Sequence, residues 1–212
     1  AELGADWVEF DVQLSQDGVV MVFHDDRLRP MINARGRLSN YSADVLREFE
    51  VMDRNSGHDT KGSMPTLREW LGLAAKLQVG INIELKGSFN NHLLVEKTLS
   101  LLKECWPADL AIPLLSSFNL DTISHLSRLE QPYPYAVNLH RWPWWGLPKL
   151  IRHSSCVSVH LNYRIATKKR VQLLRDLGKV VCCYTVNDAV LAEQLFSIGV
   201  TSVFSDNINL FQ

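Results

Sequence analysis

The sequence predicts a (β/α)8 barrel, and three of its features point that way. From Pro65 onward, short apolar runs suited to strands alternate with segments whose apolar residues recur at helical spacing. Strands separated by helices in this manner become parallel neighbours joined by right-handed crossovers. The chain is 212 residues long, the size of one such barrel, and residues 1–212 read as one barrel domain with a hairpin and insertion at about 13–64. Seven segments qualify as parallel strands, one fewer than the eight that close a barrel.

The elements follow in order. Residues 1–5 read as the tail of a helix, and the chain does not begin with methionine. A first strand and helix are therefore expected ahead of Ala1. Without them, strand edges and an apolar barrel interior would be open to water, and the 212-residue chain is expected to be inactive. Residues 7–14 alternate around Glu9, Asp11 and Gln13, and residues 19–23 are apolar and mostly β-branched. Asp17-Gly18 between them signals a two-residue hairpin turn, so the second arm is antiparallel and does not count towards the barrel.

Residues 26–64 are polar and long for a connection, with a short helix after Ser42 and a turn-like Asn55-Ser56-Gly57. Long loops of this kind often cover sites. Residues 66–77 place apolar side chains at 67, 70, 71, 73, 74 and 77, a helical spacing introduced by Pro65. The predicted elements then alternate. Strands fall at 81–86, 112–118, 135–139, 156–162, 180–186 and 202–204, and helices at 93–106, 120–129, 148–153, 168–177 and 189–198.

Composition excludes several classes. The net charge of −1 lacks the basic excess of a general nucleic-acid binder. No apolar run reaches the roughly 18 residues of a membrane span, and no signal peptide is visible. Cys105, Cys156, Cys182 and Cys183 show no metal-ligand spacing, and adjacent cysteines on a strand point to opposite faces. They read as free thiols, which suits a cytoplasmic location.

The hairpin gathers polar chemistry. With a two-residue turn, Gln16 pairs with Val19 and Asp11 falls opposite His24, while Glu9 and Asp11 share a face. Barrel active sites lie at the C-terminal ends of strands. Glu84 and Lys86 share a face at such an end, and Ser117, His160, Asn162 and Tyr184 lie at or near others. Taken singly, Glu-x-Lys is a surface ion pair and the hairpin face is merely solvated. Brought to one rim, Glu9, Asp11 and Glu84 make a hard oxygen site for one divalent cation, Mg2+ or Ca2+. Lys86 adds a point charge for a phosphate, and His24 a proton carrier near neutral pH. That combination suits phosphoryl transfer. His140, His153 and His160 read as structural or exposed. Trp142-Pro143-Trp144-Trp145 reads as an aromatic loop that meets the substrate's variable group, a lipid, or the neighbouring helix.

Glu9-Phe10-Asp11-Val12 followed by Val22-Phe23-His24-Asp25-Asp26 resembles the glycerophosphodiester phosphodiesterase family. The resemblance continues through Arg35-Gly36-Arg37-Leu38, Pro65-Thr66-Leu67, Ile83-Glu84-Leu85-Lys86, Leu115-Ser116-Ser117-Phe118, Tyr184-Thr185-Val186-Asn187 and Ser205-Asp206. It spans nearly the whole chain and looks most like the bacterial cytoplasmic members. It implies metal ligands at Glu9, Asp11 and Glu84, a catalytic histidine at His24, and substrate contacts from Lys86, Phe118 and Tyr184. It implies a barrel of the phospholipase C-like type that hydrolyses glycerophosphodiesters to glycerol 3-phosphate and an alcohol, with an inserted segment over the site. The second catalytic histidine of the family lies in a His-Arg-Gly motif, which this sequence does not contain, nor the Pro-Glu-Asn-Thr run after it. Two other functions remain in view: a phospholipase D-like enzyme acting on lysophospholipids, and a metal- and phosphate-binding relative with impaired turnover.

Overall fold

The computed structural model describes residues 3–28, 34–49, 63–87, 90–144, 147, 149–153 and 155–211. Strands β1 (Trp7–Leu14) and β2 (Val20–Val22) form the expected hairpin, but with a different turn. The loop holds three residues, 16–18. Ser15 N–H donates to Val19 O at 2.9 Å, and Gly18, at φ 77°, donates its N–H to Ser15 O at 3.1 Å. Glycine enters this left-handed region without steric cost. The Ser15 hydroxyl secures the loop, donating to Asp17 Oδ1 at 2.6 Å and accepting from Val19 N–H at 2.8 Å. The added residue slips the pairing by one, to Val12↔Val22, Gln13↔Met21 and Leu14↔Val20. Asp11 therefore faces Phe23, whose N–H donates to Asp11 O at 2.9 Å, and His24 is not opposite Asp11.

After the hairpin come α1 (Ala43–Glu48), α2 (Leu67–Leu77), β3 (Gly80–Leu85), α3 (Asn91–Cys105), β4 (Leu114–Ser117) and α4 (Leu120–Arg128). There follow β5 (Tyr135–Leu139), β6 (Cys156–Asn162), α5 (Lys168–Asp176), β7 (Val180–Tyr184), α6 (Ala189–Ser197) and β8 (Ser202–Val203). Helix α2 begins on a capping box: Thr66 Oγ1 accepts from Glu69 N–H, and Glu69 Oε2 accepts from Thr66 N–H. A 3-10 turn, Lys149–Arg152, stands where a helix over 148–153 is predicted. Pro148, Trp145 and the Asn55-Ser56-Gly57 turn lie outside the described residues.

The sheet runs β2-β1-β3-β4-β5-β6-β7-β8, with every pair parallel except β1 with β2. Curled with its helices outside, it is the α/β barrel that the alternation predicts. Among the described residues β8 and β1 are not paired.

Period-two alternation divides each strand between two environments. Phe10, Val12, Ile81, Ile83, Leu85, Val137, Val159, Leu161 and Val181 belong to the main core together with Leu71, Leu94, Ile123, Leu126, Val171 and Leu174 of the helices. The alternate positions, including Asn82, Glu84, Asn138, Ser158, His160 and Cys182, line the interior instead. The interior, expected to be apolar, is mixed: Trp7, Leu114 and Val180 line it beside these polar side chains. The apolar side chains of the core go to the outer face, where helices exclude water from both sides of each contact. A register shift between Tyr135 and Ala136 pairs Tyr135 with Cys156 and Ala136 with Ser158, which brings Asn138 level with His160.

Two details fix the sheet in place. A Cβ on Gly80 would come within 2.5 Å of the Trp7 ring, so only glycine fits beside it. A second cluster, Met21, Leu28, Leu38, Leu46 and Met64, holds the inserted segment against β2.

Candidate active site

Parallel register sets the floor of the site. Glu9 pairs with Asn82 and Asp11 with Glu84, so two carboxylates stand side by side on adjacent strands. Their ligating oxygens and that of Glu9 lie within 4.8 Å of one another. Lys86 follows β3 directly, and its N–H donates to Val12 O at 3.1 Å, continuing the ladder. Its Nζ reaches Asp11 Oδ1 at 3.2 Å and Glu84 Oε1 at 3.4 Å. Asn138, from β5, donates Nδ2–H to Glu84 Oε2 at 3.1 Å.

The electrostatics follow from this crowding. Asp11 and Glu84 are buried, while the Glu9 side chain is exposed within the cleft that all three line. Burial, then the charges of Asp11 and Glu84, push the Glu9 carboxyl up to about 8, against the pull of Lys86. Burial and Asp11 likewise raise Glu84 to about 7. Burial works against the Lys86 ammonium, but Asp11 and Glu84 outweigh it and its pKa is raised. Among the described residues three carboxylates share one ammonium, and the site is short of positive charge. The buried Asn82 Oδ1 and Asn138 Oδ1 beside them have no hydrogen-bond partner among the described residues. An all-oxygen set deficient in positive charge fits a hard divalent cation.

Glu9, Asp11, His24, Glu84, Lys86, Phe118 and Tyr184 all line one cleft of about 1050 Å3. Although the register slips, His24 still reaches this cleft, because the chain leaves the ladder after Phe23. Its ring is 73% exposed, with Nδ1 2.7 Å from Asp25 Oδ1. That pairing assigns the proton of the neutral ring to Nδ1 and leaves Nε2 as the basic nitrogen. Gln13 fixes the turn beneath it, donating Nε2–H to Phe23 O at 2.9 Å and Asp25 O at 3.0 Å. Phe118 and Tyr184 meet edge to face, 5.6 Å apart at 89°, and form an aromatic wall. Burial, then Glu84, raises the Tyr184 hydroxyl.

Other residues at the strand ends have different roles. Ser117 is structural: its hydroxyl donates to Leu85 O at 2.6 Å and accepts from Asn119 N–H at 3.1 Å. His160 lines the cleft but is 2% exposed, set against Phe204 at 4.8 Å, and burial lowers it to about 3. It stays neutral at any pH near 7. Asn138 and Asp25 escaped the sequence reading. A lone asparagine in the apolar run 135–139 and an acid directly after His24 were the available signals.

Comparison with known proteins decides the lineage. Residues 1–210 match the glycerophosphoryl diester phosphodiesterase family. The chain belongs to that family. Among its relatives, YqiK of Bacillus subtilis is 31% identical over 97% of this chain and 84% of its own length. A glycerophosphodiester phosphodiesterase of Bacillus altitudinis is 27% identical over 96% of this chain and 83% of its own. An Oleispira antarctica phosphodiesterase, solved in complex with the product sn-glycerol-3-phosphate, superposes with a TM-score of 0.89 at 28% identity. That match covers 99% of this chain and 85% of the other. Membership makes this chain a phosphoric diester hydrolase by descent, on the family's α/β barrel. Among the described residues no helix is long and apolar enough to cross a membrane.

Proposed function

We propose that the protein hydrolyses glycerophosphodiesters to glycerol 3-phosphate and an alcohol, with a divalent cation held by Glu9, Asp11 and Glu84. The observation that carries this reading is the convergence of three carboxylates, Lys86 and His24 in one cleft of an α/β barrel. The charge deficit of the carboxylate set fits Mg2+ or Ca2+. When bound there, such a cation supplies Lewis acidity to a phosphate oxygen and lowers the pKa of a nearby hydroxyl.

The chain's own residues do the rest. Lys86 stands at the carboxylate cluster as a point charge for the phosphate. His24 moves a proton at Nε2, either from the attacking substrate hydroxyl or to the leaving alcohol, while Asp25 holds the ring. Phe118 and Tyr184 flank the glycerol end of the substrate and shield it from water. The substrate's own 2-hydroxyl attacks phosphorus, and water then opens the resulting cyclic phosphate. Residues 1–212 act as one barrel domain, and the free cysteines suit a cytoplasmic setting in glycerol and lipid metabolism.

A second reading is a relative that binds metal and phosphodiester with little turnover. It is favoured by the cleft having, among the described residues, one solvent-open histidine, His24, since His160 is buried and held neutral. Incubating the protein with glycerophosphocholine and Mg2+ or Ca2+, with and without a chelator, separates the two. Cation-dependent release of glycerol 3-phosphate is expected. Tight binding of the diester with no product formed would establish the second reading.

A further inference from the structure

Every charged side chain between Glu130 and Asp176 is a lysine or an arginine, in a chain whose net charge is −1. Helix α5 opens on Lys168-Lys169-Arg170 with no acid in its first turn, although the positive end of the helix dipole disfavours cations there. These cations meet the aromatic loop that follows β5, at the C-terminal end of the strands. The Arg170 guanidinium lies 5.0 Å from the Trp142 ring centroid and donates to Ile165 O at 3.0 Å, joining the loops after β5 and β6. His140 Nδ1 is 3.4 Å from Asn162 Nδ2, and Asn162 pairs with Tyr184 of the cleft wall. Arg141, Arg164, Lys168 and Lys169 are exposed, and Trp144 is 89% exposed.

We propose that this face docks on an anionic phospholipid bilayer, with Trp144 at the headgroup level and the cleft mouth beside the interface. Tryptophan prefers the membrane–water boundary, and a cluster of lysine and arginine is attracted to an anionic leaflet. A cationic face built from a stretch that carries no acid between Glu130 and Asp176 complements that surface and no neutral one. Single-stranded nucleic acid is the weaker fit, because the chain as a whole, at a net charge of −1, lacks the basic excess of a nucleic-acid binder. Docking differs from insertion: a few exposed side chains at the interface hold the protein reversibly.

Cosedimentation of the full chain with vesicles tests this without any substrate, and so independently of turnover. Vesicles containing phosphatidylglycerol should carry the protein down, and pure phosphatidylcholine vesicles should not. Raising salt from about 0.05 M to about 0.5 M should weaken binding by about tenfold or more, as screening requires. The Lys168→Glu/Lys169→Glu variant should lose vesicle binding by a similar factor while keeping its melting temperature and its activity on a soluble diester. Trp144→Ala should weaken binding without changing its salt dependence. Equal binding to both vesicle types, or unchanged binding by the lysine variant, overturns the proposal. So does capture of single-stranded RNA under conditions where anionic vesicles are not bound.

Discussion

Asp11 and Glu84 occupy paired positions on adjacent parallel strands, and Lys86 Nζ reaches both, at 3.2 and 3.4 Å. Like charges side by side on a sheet repel. Here the ammonium two residues beyond Glu84 offsets that repulsion, and it does so incompletely because Glu9 adds a third carboxylate. Burial, together with this arrangement of charges, explains why both Glu9 and Glu84 are raised while Lys86 stays charged.

The first expected outcome concerns the ligands. Glu84→Ala removes one of the three carboxylates, and hard-ion affinity depends on ligand charge count. Calorimetric titration should show Mg2+ or Ca2+ affinity falling by roughly 10²-fold, with activity falling alongside. Wild-type affinity in the variant would remove Glu84 from the site.

The second concerns pH. Glu9 and Glu84 titrate from 4.5 in the unfolded chain to about 8 and about 7 in the folded one. Below 4.5 both states are protonated and the groups cost nothing. As pH rises, the unfolded chain ionises first, so the folded state loses stability progressively until about pH 8. In chelator the melting temperature should therefore fall, by a few degrees, between about pH 5 and pH 8. Excess divalent cation should flatten that slope, because it stabilises the ionised carboxylates. Differential scanning calorimetry with and without EDTA reads it directly; parallel curves would refute the coupling.

The third concerns His24. Replacement by Ala should lower kcat by about 10²–10⁴, the usual worth of a proton-transfer group. The side chain is 73% exposed, so stability should change by less than about 0.5 kcal/mol. Asp25→Asn, which removes the contact that holds the ring, should lower kcat less than His24→Ala does. A His24→Ala protein that melts early yet turns over normally would make the residue structural.

The fourth concerns the aromatic wall. Phe118 is 42% exposed and meets Tyr184 edge to face. Phe118→Ala should raise KM roughly tenfold with little change in melting temperature. A fall in kcat at constant KM would place Phe118 in positioning the reacting groups and not in binding.

Much of this protein was legible in the residues themselves. The alternation of 81–86, 112–118, 135–139 and 156–162 with helical segments gave the barrel, because strand and helix periods are local properties of a sequence. Glu9, Asp11, His24, Glu84, Lys86, Phe118 and Tyr184 were chosen from motifs and strand-end positions, and all line one cleft. The turn was not legible: Asp17-Gly18 suggested two loop residues, but the Ser15 hydroxyl and the Ala43 N–H, 26 residues on from Asp17, stabilise three. That slip moved His24 off its assumed partner, and only the departure of the chain after Phe23 returned it to the cleft. Nor did the sequence show that barrel strands turn their polar side inwards, since alternation tells that two faces differ but not which one the helices will cover. Asn138 meeting Glu84 across 54 residues, and the raised pKa values of Glu9 and Glu84, depend on distances between strands. Periodicity is written along the chain, whereas charge coupling is set through space, and the tertiary structure alone decides which groups are neighbours.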